Sequence, residues 1–206
     1  MTECERPTPY DERPDLDLVA AYLEAHGLSA ERFSKEETLT GKTPDFRVRK
    51  RGAIVAYCEV KAPQDDPWFD DLLRCALPDT IVGYARSAPT FKRLARHLKK
   101  AALQLAAVNP NRTELNILAY VNHEDATRYA DFHEMLTGGF LSAGGKQFQT
   151  MRPPTKVREI DVYLWFEGTT KPSPIVNDAD QDRKRRVCAL LDFPDLAGSG
   201  DVGGNG

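Results

Sequence analysis

The stretch from Asp45 to Lys61 constrains the fold more than any other part of the chain. From Asp45 to Lys50, apolar Phe46 and Val48 alternate with Asp45, Arg47 and Arg49. Lys50-Arg51-Gly52 then supplies a turn, with Gly52 free to take a positive φ. From Ala53 to Lys61 the even positions Ile54, Ala56, Cys58 and Val60 are apolar, and the odd positions are Val55, Tyr57, Glu59 and Lys61. A period of two marks half-buried strands, so this segment is expected to form two strands joined by a tight hairpin. Residues two apart on a strand share a face, so Glu59 and Lys61 project together while Val60 points to the core. Facing residues of an antiparallel pair share a face as well. A turn near Gly52 puts Asp45 opposite Glu59, or within one position of it.

Two carboxylates so close repel unless something positive lies between them. A divalent cation that prefers oxygen ligands fits, since magnesium is commonly held by one or two carboxylates, waters and substrate phosphate oxygens. The backbone carbonyl of Val60 can add a further oxygen ligand. An ion held there suits phosphodiester hydrolysis, with Lys61 orienting water or neutralising charge in the transition state.

Around the hairpin the apolar periodicity predicts further elements. Leu16, Val19, Ala20 and Leu23 mark a helix over Asp15–His26 that stops at Gly27. A short strand is expected within Ser29–Thr38, a short helix around Trp68–Leu73, and a brief strand or turn at Ile81–Tyr84. A long helix from about Pro89 to Val108, with Ser87 near its start, ends at Asn109-Pro110-Asn111. Leu115–Val121 reads as a strand, Glu124–Leu136 as a helix, Thr137–Pro154 as a Gly-containing loop, Lys156–Glu167 as a strand and Arg185–Leu191 as a last strand. The order is mixed α/β rather than a run of βαβ units. Residues 1–14 read as a loose lead-in and 195–206 as a disordered Gly-rich tail, leaving 15–194 as one domain.

Thr43-Pro44-Asp45-Phe46, followed after the hairpin by Cys58-Glu59-Val60-Lys61, resembles the PD-(D/E)xK motif of restriction-endonuclease-like nucleases. The resemblance implies a core of helix, three strands, helix and strand, matching the order read over about 15–121, with 122–194 as a C-terminal extension. It implies that Asp45 and Glu59 bind Mg²⁺ or Mn²⁺ and that Lys61 supports cleavage of nucleic acid, DNA being favoured. Relatives often add an acid on the first helix, for which Glu24 is the candidate here, and many act as homodimers. The alternatives are an inactive nucleic-acid-binding or protein-interaction module on the same scaffold, and a hairpin whose charges simply face water.

A net charge of −3 does not by itself announce a nucleic-acid partner, but its distribution is uneven. No Asp or Glu occurs from Ile81 through Thr113. On the long helix, Lys92, Arg93, Arg96, His97, Lys99, Lys100 and Gln104 fall on one arc, opposite Phe91, Leu94, Ala95, Leu98, Ala101, Ala102, Leu105 and Val108, with Leu103 the exception. That arc is either a phosphate-backbone contact or a solvated face. Lys100 and Gln104 are the members expected to border the active site.

Other motifs carry less. The Gly138–Lys146 run fails as a phosphate-binding loop, because its spacing is off by one and Gln147 stands where Ser or Thr is needed. His123 and His133 read as structural, Tyr163, Trp165 and Phe166 as packing residues, and Arg183–Arg186 as a solvated linker rather than a DNA anchor. Cys4, Cys58, Cys75 and Cys188 show no Cys-x-x-Cys spacing, the N-terminus has no apolar signal core, and no apolar run spans a bilayer. A cytoplasmic protein with no membrane partner is expected.

Overall fold

The computed structural model describes residues 10–63, 88–124, 127–141, 147–149, 152–168 and 170–194. Helix α1 (Arg13–Ala25) opens with Pro14 in its first turn, where a missing N–H costs nothing, and buries Leu16, Val19 and Leu23. Gly27, at φ +69°, turns the chain into β1 (Ser29–Arg32). A short helix α2 (Lys35–Thr40) follows, started by a reciprocal capping box between Ser34 and Glu37. The expected strand over Ser29–Thr38 therefore ends at Arg32. The signature Ser34-Lys35-Glu36-Glu37 was sufficient to announce the helix.

Strands β2 (Phe46–Lys50) and β3 (Ala53–Lys61) form the hairpin. Its turn uses positive φ at both Arg51 (52°) and Gly52 (85°), as a turn matched to the strand twist requires. A bulge between Val48 and Arg49 leaves Val55 as the extra residue of β3. Val55 rather than Ile54 then packs on the core, so the even-position alternation holds only beyond the bulge.

Helix α3 (Ala88–Val108) crosses back to β4 (Leu115–Val121), which lies parallel to β3. Helix α4 (Tyr129–Thr137), a small hairpin of β5 (Gly139–Leu141) and β6 (Gln147–Gln149), and a 3₁₀ turn over Thr155–Glu159 lead to β7 (Val162–Phe166). Strand β8 (Ser173–Val176) and helix α5 (Gln181–Leu191) complete the described chain. The main sheet has the order β1-β2-β3-β4-β7-β8, with β3-β4 and β4-β7 parallel and the other pairs antiparallel. This is a mixed α/β architecture in which five helices among the described residues accompany a six-stranded sheet.

Apolar side chains cover both faces of that sheet. On one, Leu16, Val19 and Leu23 of α1 and Val187 and Leu191 of α5 meet Phe46, Val48, Cys58, Ile117 and Leu164. On the other, Leu94, Leu98 and Leu105 of α3 and Phe132 and Met135 of α4 meet Leu118, Tyr120, Tyr163 and Trp165. Strand β4, sequence LNILAYV, is buried at every position, which explains an apolar run interrupted only by Asn116, whose side chain is hydrogen-bonded to Asn109 and the Glu159 carbonyl.

Several expectations need correction. Arg185–Leu191 is the end of a helix, not a strand: Asp180 caps it, and Lys184, Val187, Cys188 and Leu191 form a buried stripe of helical period. Lys156–Glu167 divides into the 3₁₀ turn and β7. The helix expected at Glu124–Leu136 begins at Tyr129: Asn122 Nδ2 donates to the carbonyls of Glu124 and Thr127, which withdraws both from a helical ladder. The expected loop over Thr137–Pro154 contains β5 and β6, and β8 was not anticipated. The expectations for Trp68–Leu73, Ile81–Tyr84, Ser87, residues 1–9, residues 195–206, Cys4 and Cys75 lie outside the described residues. Among the described residues no helix is long and apolar enough to cross a membrane.

Candidate active site

Phe46 pairs with Cys58, so Asp45, one residue before β2, stands across from Glu59. The backbone N–H of Val60 donates to Asp45 Oδ2 at 2.8 Å and ties the loop before β2 to β3. The sheet face carrying Glu59 and Lys61 is not open to water, because α3 lies over it. Glu59 is 1% exposed, which removes the reading of a hairpin whose charges face solvent.

Lys61 Nζ donates to Glu59 Oε1 and stands 3.4 Å from both the Val60 carbonyl and Gln104 Oε1. Gln104 in turn donates from Nε2 to the Thr43 carbonyl at 3.0 Å. A single α3 side chain therefore touches both the lysine and the loop that carries Asp45.

Glu59 Oε2 is buried and, beside the Asp45 carboxyl, finds no N–H or O–H donor among the described residues. Burial, and secondarily the Asp45 carboxylate, push the Glu59 carboxyl up to about 8, against the pull of Lys61. A buried acid with one oxygen unmatched and a second acid beside it is satisfied by a proton or by a cation. Among the described residues, no three His, Cys, Asp or Glu side chains gather as an ion-binding group. A divalent ion at this place would be held by Asp45, Glu59, the Val60 carbonyl, and solvent or substrate oxygens, a donor set that suits magnesium.

The basic arc of α3 divides in two. Lys92, Arg96, Lys99 and Lys100 are exposed. Arg93 instead binds the buried Glu124 at 2.8 Å, and Glu124 also accepts from Thr127, so Arg93 belongs to the structure rather than to a free cationic face. His97 is half-buried, its Nδ1 without a partner among the described residues, and burial together with Lys61, Arg96, Arg93 and Lys100 lowers it to about 4. Lys100 and Gln104 line a cavity together with Thr43, Pro44 and Asp45.

The cavity beside Asp45 meets the first helix at the end opposite Glu24. Glu24 is exposed in the last turn of α1 and does not line that cavity. Glu12, at the N-terminal end of α1, does line it. Helical period alone could not separate the two, because the direction in which α1 crosses the sheet decides which end meets Asp45.

The remaining motifs take structural places. His123 Nε2 lies 2.8 Å from Asp15 Oδ1 and 2.8 Å from the Tyr10 hydroxyl, joining the start of α1 to the end of β4. Burial lowers the half-buried His133. Tyr163, Trp165 and Phe166 are packed inside. Arg183 is no solvated linker residue: it forms a bidentate pair with the buried Asp161 at 2.6 Å. Lys146 lies outside the described residues. Comparison with protein-family models, curated proteins and solved structures finds no match to this chain.

Proposed function

We propose that this protein is a nuclease that hydrolyses phosphodiester bonds of nucleic acid, DNA in preference to RNA, with the aid of Mg²⁺ or Mn²⁺. The observation that carries the reading is the buried Glu59 Oε2, without a donor among the described residues and beside the Asp45 carboxylate, with the Lys61 ammonium against the same acid. Two acids and a lysine on one face are what phosphodiester hydrolysis asks for, and Asp45, Glu59 and Lys61 stand in the PD-(D/E)xK pattern. The order from α1 to β4 (helix, antiparallel β1-β2-β3, helix, parallel β4) supports a restriction-endonuclease-like core, to which α2 is an insertion and β7, β8 and α5 an extension.

In this reading Asp45, Glu59 and the Val60 carbonyl would hold the ion. Bound Mg²⁺ or Mn²⁺ supplies neutralisation of the scissile phosphate and an acidified water at neutral pH. The chain's own groups do the rest. The Val60 amide and the rigidity of β3 keep the two carboxylates in register. Lys61, steadied by Glu59 and Gln104, donates to a phosphate oxygen and offsets the charge that collects as the bond to the leaving oxygen lengthens. Lys92, Arg96, Lys99 and Lys100 grip the phosphate backbone without reading bases.

The test is cleavage of end-labelled DNA by purified protein with Mn²⁺, Mg²⁺ or chelator. Cutting is expected with either ion and not with chelator. Glu59→Gln and Lys61→Ala each lose about a hundredfold or more. Undiminished cutting by both variants would overturn the assignment, and absence of cutting under every condition would leave an inactive nucleic-acid-binding module.

A further inference from the structure

A cavity of about 420 Å³ opens beside Asp45, between the β1-α2 segment and α3. It lies at the small-ligand end of the range of about 300–1,000 Å³ usual for pockets that enclose one molecule. Asp45 belongs to its wall, so whatever fills it sits directly against the proposed cleavage point.

Among the described residues its lining joins one aromatic ring to several cations. Arg32, Lys42 and Lys100 face it, against the acids Glu12 and Asp45. Neither Lys42 nor Lys100 has an ion-pair partner among the described residues. Phe33 is half-buried and forms part of the wall. The two groups that meet its ring, the Arg47 guanidinium at 3.9 Å and the Tyr57 ring at 6.5 Å, both line a neighbouring hollow and not this cavity. No other ring or cation contact to Phe33 is found among the described residues. Leu103, the residue that breaks the polar and apolar division of α3, is 40% exposed and lines the same cavity.

An aromatic ring, an apolar neighbour and ammonium groups unpaired among the described residues, all lining one small cavity, match a single nucleotide: a base to stack and a phosphate to neutralise. Inside a duplex each base already stacks on its neighbours and pairs across the helix, so it has no face to give to Phe33. We propose that this cavity holds one unpaired nucleotide, its base on Phe33 and its phosphate between Lys42 and Lys100. The preferred substrate is then single-stranded nucleic acid, an inference that rests on the nucleic-acid reading above.

The experiment is fluorescence anisotropy in chelator, where no cutting occurs, with a labelled oligothymidylate and a labelled hairpin duplex. The oligothymidylate is expected to bind at least about tenfold more tightly than the hairpin. Phe33→Ala is expected to lose about tenfold or more on the oligothymidylate and little on the hairpin. Phe33→Leu, which keeps apolar bulk for folding, is expected to show the same selective loss. Equal binding of the two probes, or a folded Phe33 variant that binds oligothymidylate like the wild type, overturns the proposal. The two readings fail separately. Phe33-dependent binding without metal-dependent cutting removes the nuclease and keeps the cavity's ligand. Metal-dependent cutting of duplex, unaffected by Phe33→Ala, does the reverse.

Discussion

Val60 donates its backbone N–H to the Asp45 carboxylate across the hairpin, at 2.8 Å. That bond makes Asp45 a structural partner of β3 as well as the acid that faces Glu59, so a substitution there acts on two observables. Asp45→Ala is expected to cost about 1.5–3 kcal/mol, the usual worth of a hydrogen bond to a charged group, in urea unfolding. It also removes the neighbouring charge that helps raise Glu59. The Glu59 carboxyl, followed by ¹³C NMR, should titrate below about 8 in the variant yet remain above its ordinary value, because burial is the larger cause. An unmoved Glu59 titration would separate the two acids.

The Glu59 shift has a definite sign for stability. A carboxyl raised from 4.5 to about 8 holds a proton in the folded metal-free protein that the unfolded chain has released. Its contribution is complete below 4.5 and is lost as pH rises through about 8. Between those limits the metal-free wild type should lose stability relative to Glu59→Gln, whose side chain is neutral throughout. Denaturant midpoints of the two proteins at pH 5 and pH 8 measure it, and parallel curves would refute it. Mn²⁺ competes with that proton, so its increment in Tm should be larger at pH 8 than at pH 6.

How much of this was legible beforehand depended on whether neighbours in sequence or partners across the fold decided the matter. The period of two in Phe46–Lys50 and Ala53–Lys61 announced the hairpin, and the spacing from Asp45 to Glu59 announced their facing position. Leu115–Val121 was equally plain, since in a strand covered on both faces the lone polar Asn116 sets up no alternation. Burial was not legible. Glu59 reads as a surface acid until α3 is laid across it, and Arg93 reads as a free cation until Glu124 is brought beside it by the end of β4. That Glu12 and not Glu24 lines the cavity beside Asp45 depends on the path of α1, which no local pattern contains. Helix α2 was missed although Ser34 and Glu37 carried the signal. At α5 the β-prone and apolar Val187, Leu190 and Leu191 masked the helical stripe that starts at Lys184.

Asp161 ties the last helix to the sheet. It is 3% exposed and accepts from Arg112, from Arg183 and from the Asn116 backbone N–H at 2.7 Å. Asp161→Ala leaves the Arg183 guanidinium, itself only 12% exposed, without its carboxylate. A loss of about 3–5 kcal/mol is expected in chemical unfolding, as for other broken buried pairs. A change below about 1 kcal/mol would show that the network is dispensable.

The cationic side of α3 predicts a salt dependence. Replacing Lys92, Arg96 and Lys99 by alanine should weaken DNA binding and flatten the plot of log affinity against log salt, by about 0.7 per lost contact on single strands. Arg93→Ala should differ in kind: it destabilises the fold by stranding Glu124 and changes the salt slope little. Urea unfolding beside binding at several salt concentrations distinguishes the two classes. A triple variant with the wild-type slope would place the DNA elsewhere.

The most direct measurement is anomalous diffraction from a crystal of this protein soaked in Mn²⁺. A peak is expected within coordination distance of both the Asp45 and Glu59 carboxylates, with the Val60 carbonyl oxygen as a further neighbour, and it should disappear in Glu59→Gln. Manganese bound elsewhere, with Asp45 and Glu59 still sharing only a proton, would contradict the proposed ion site.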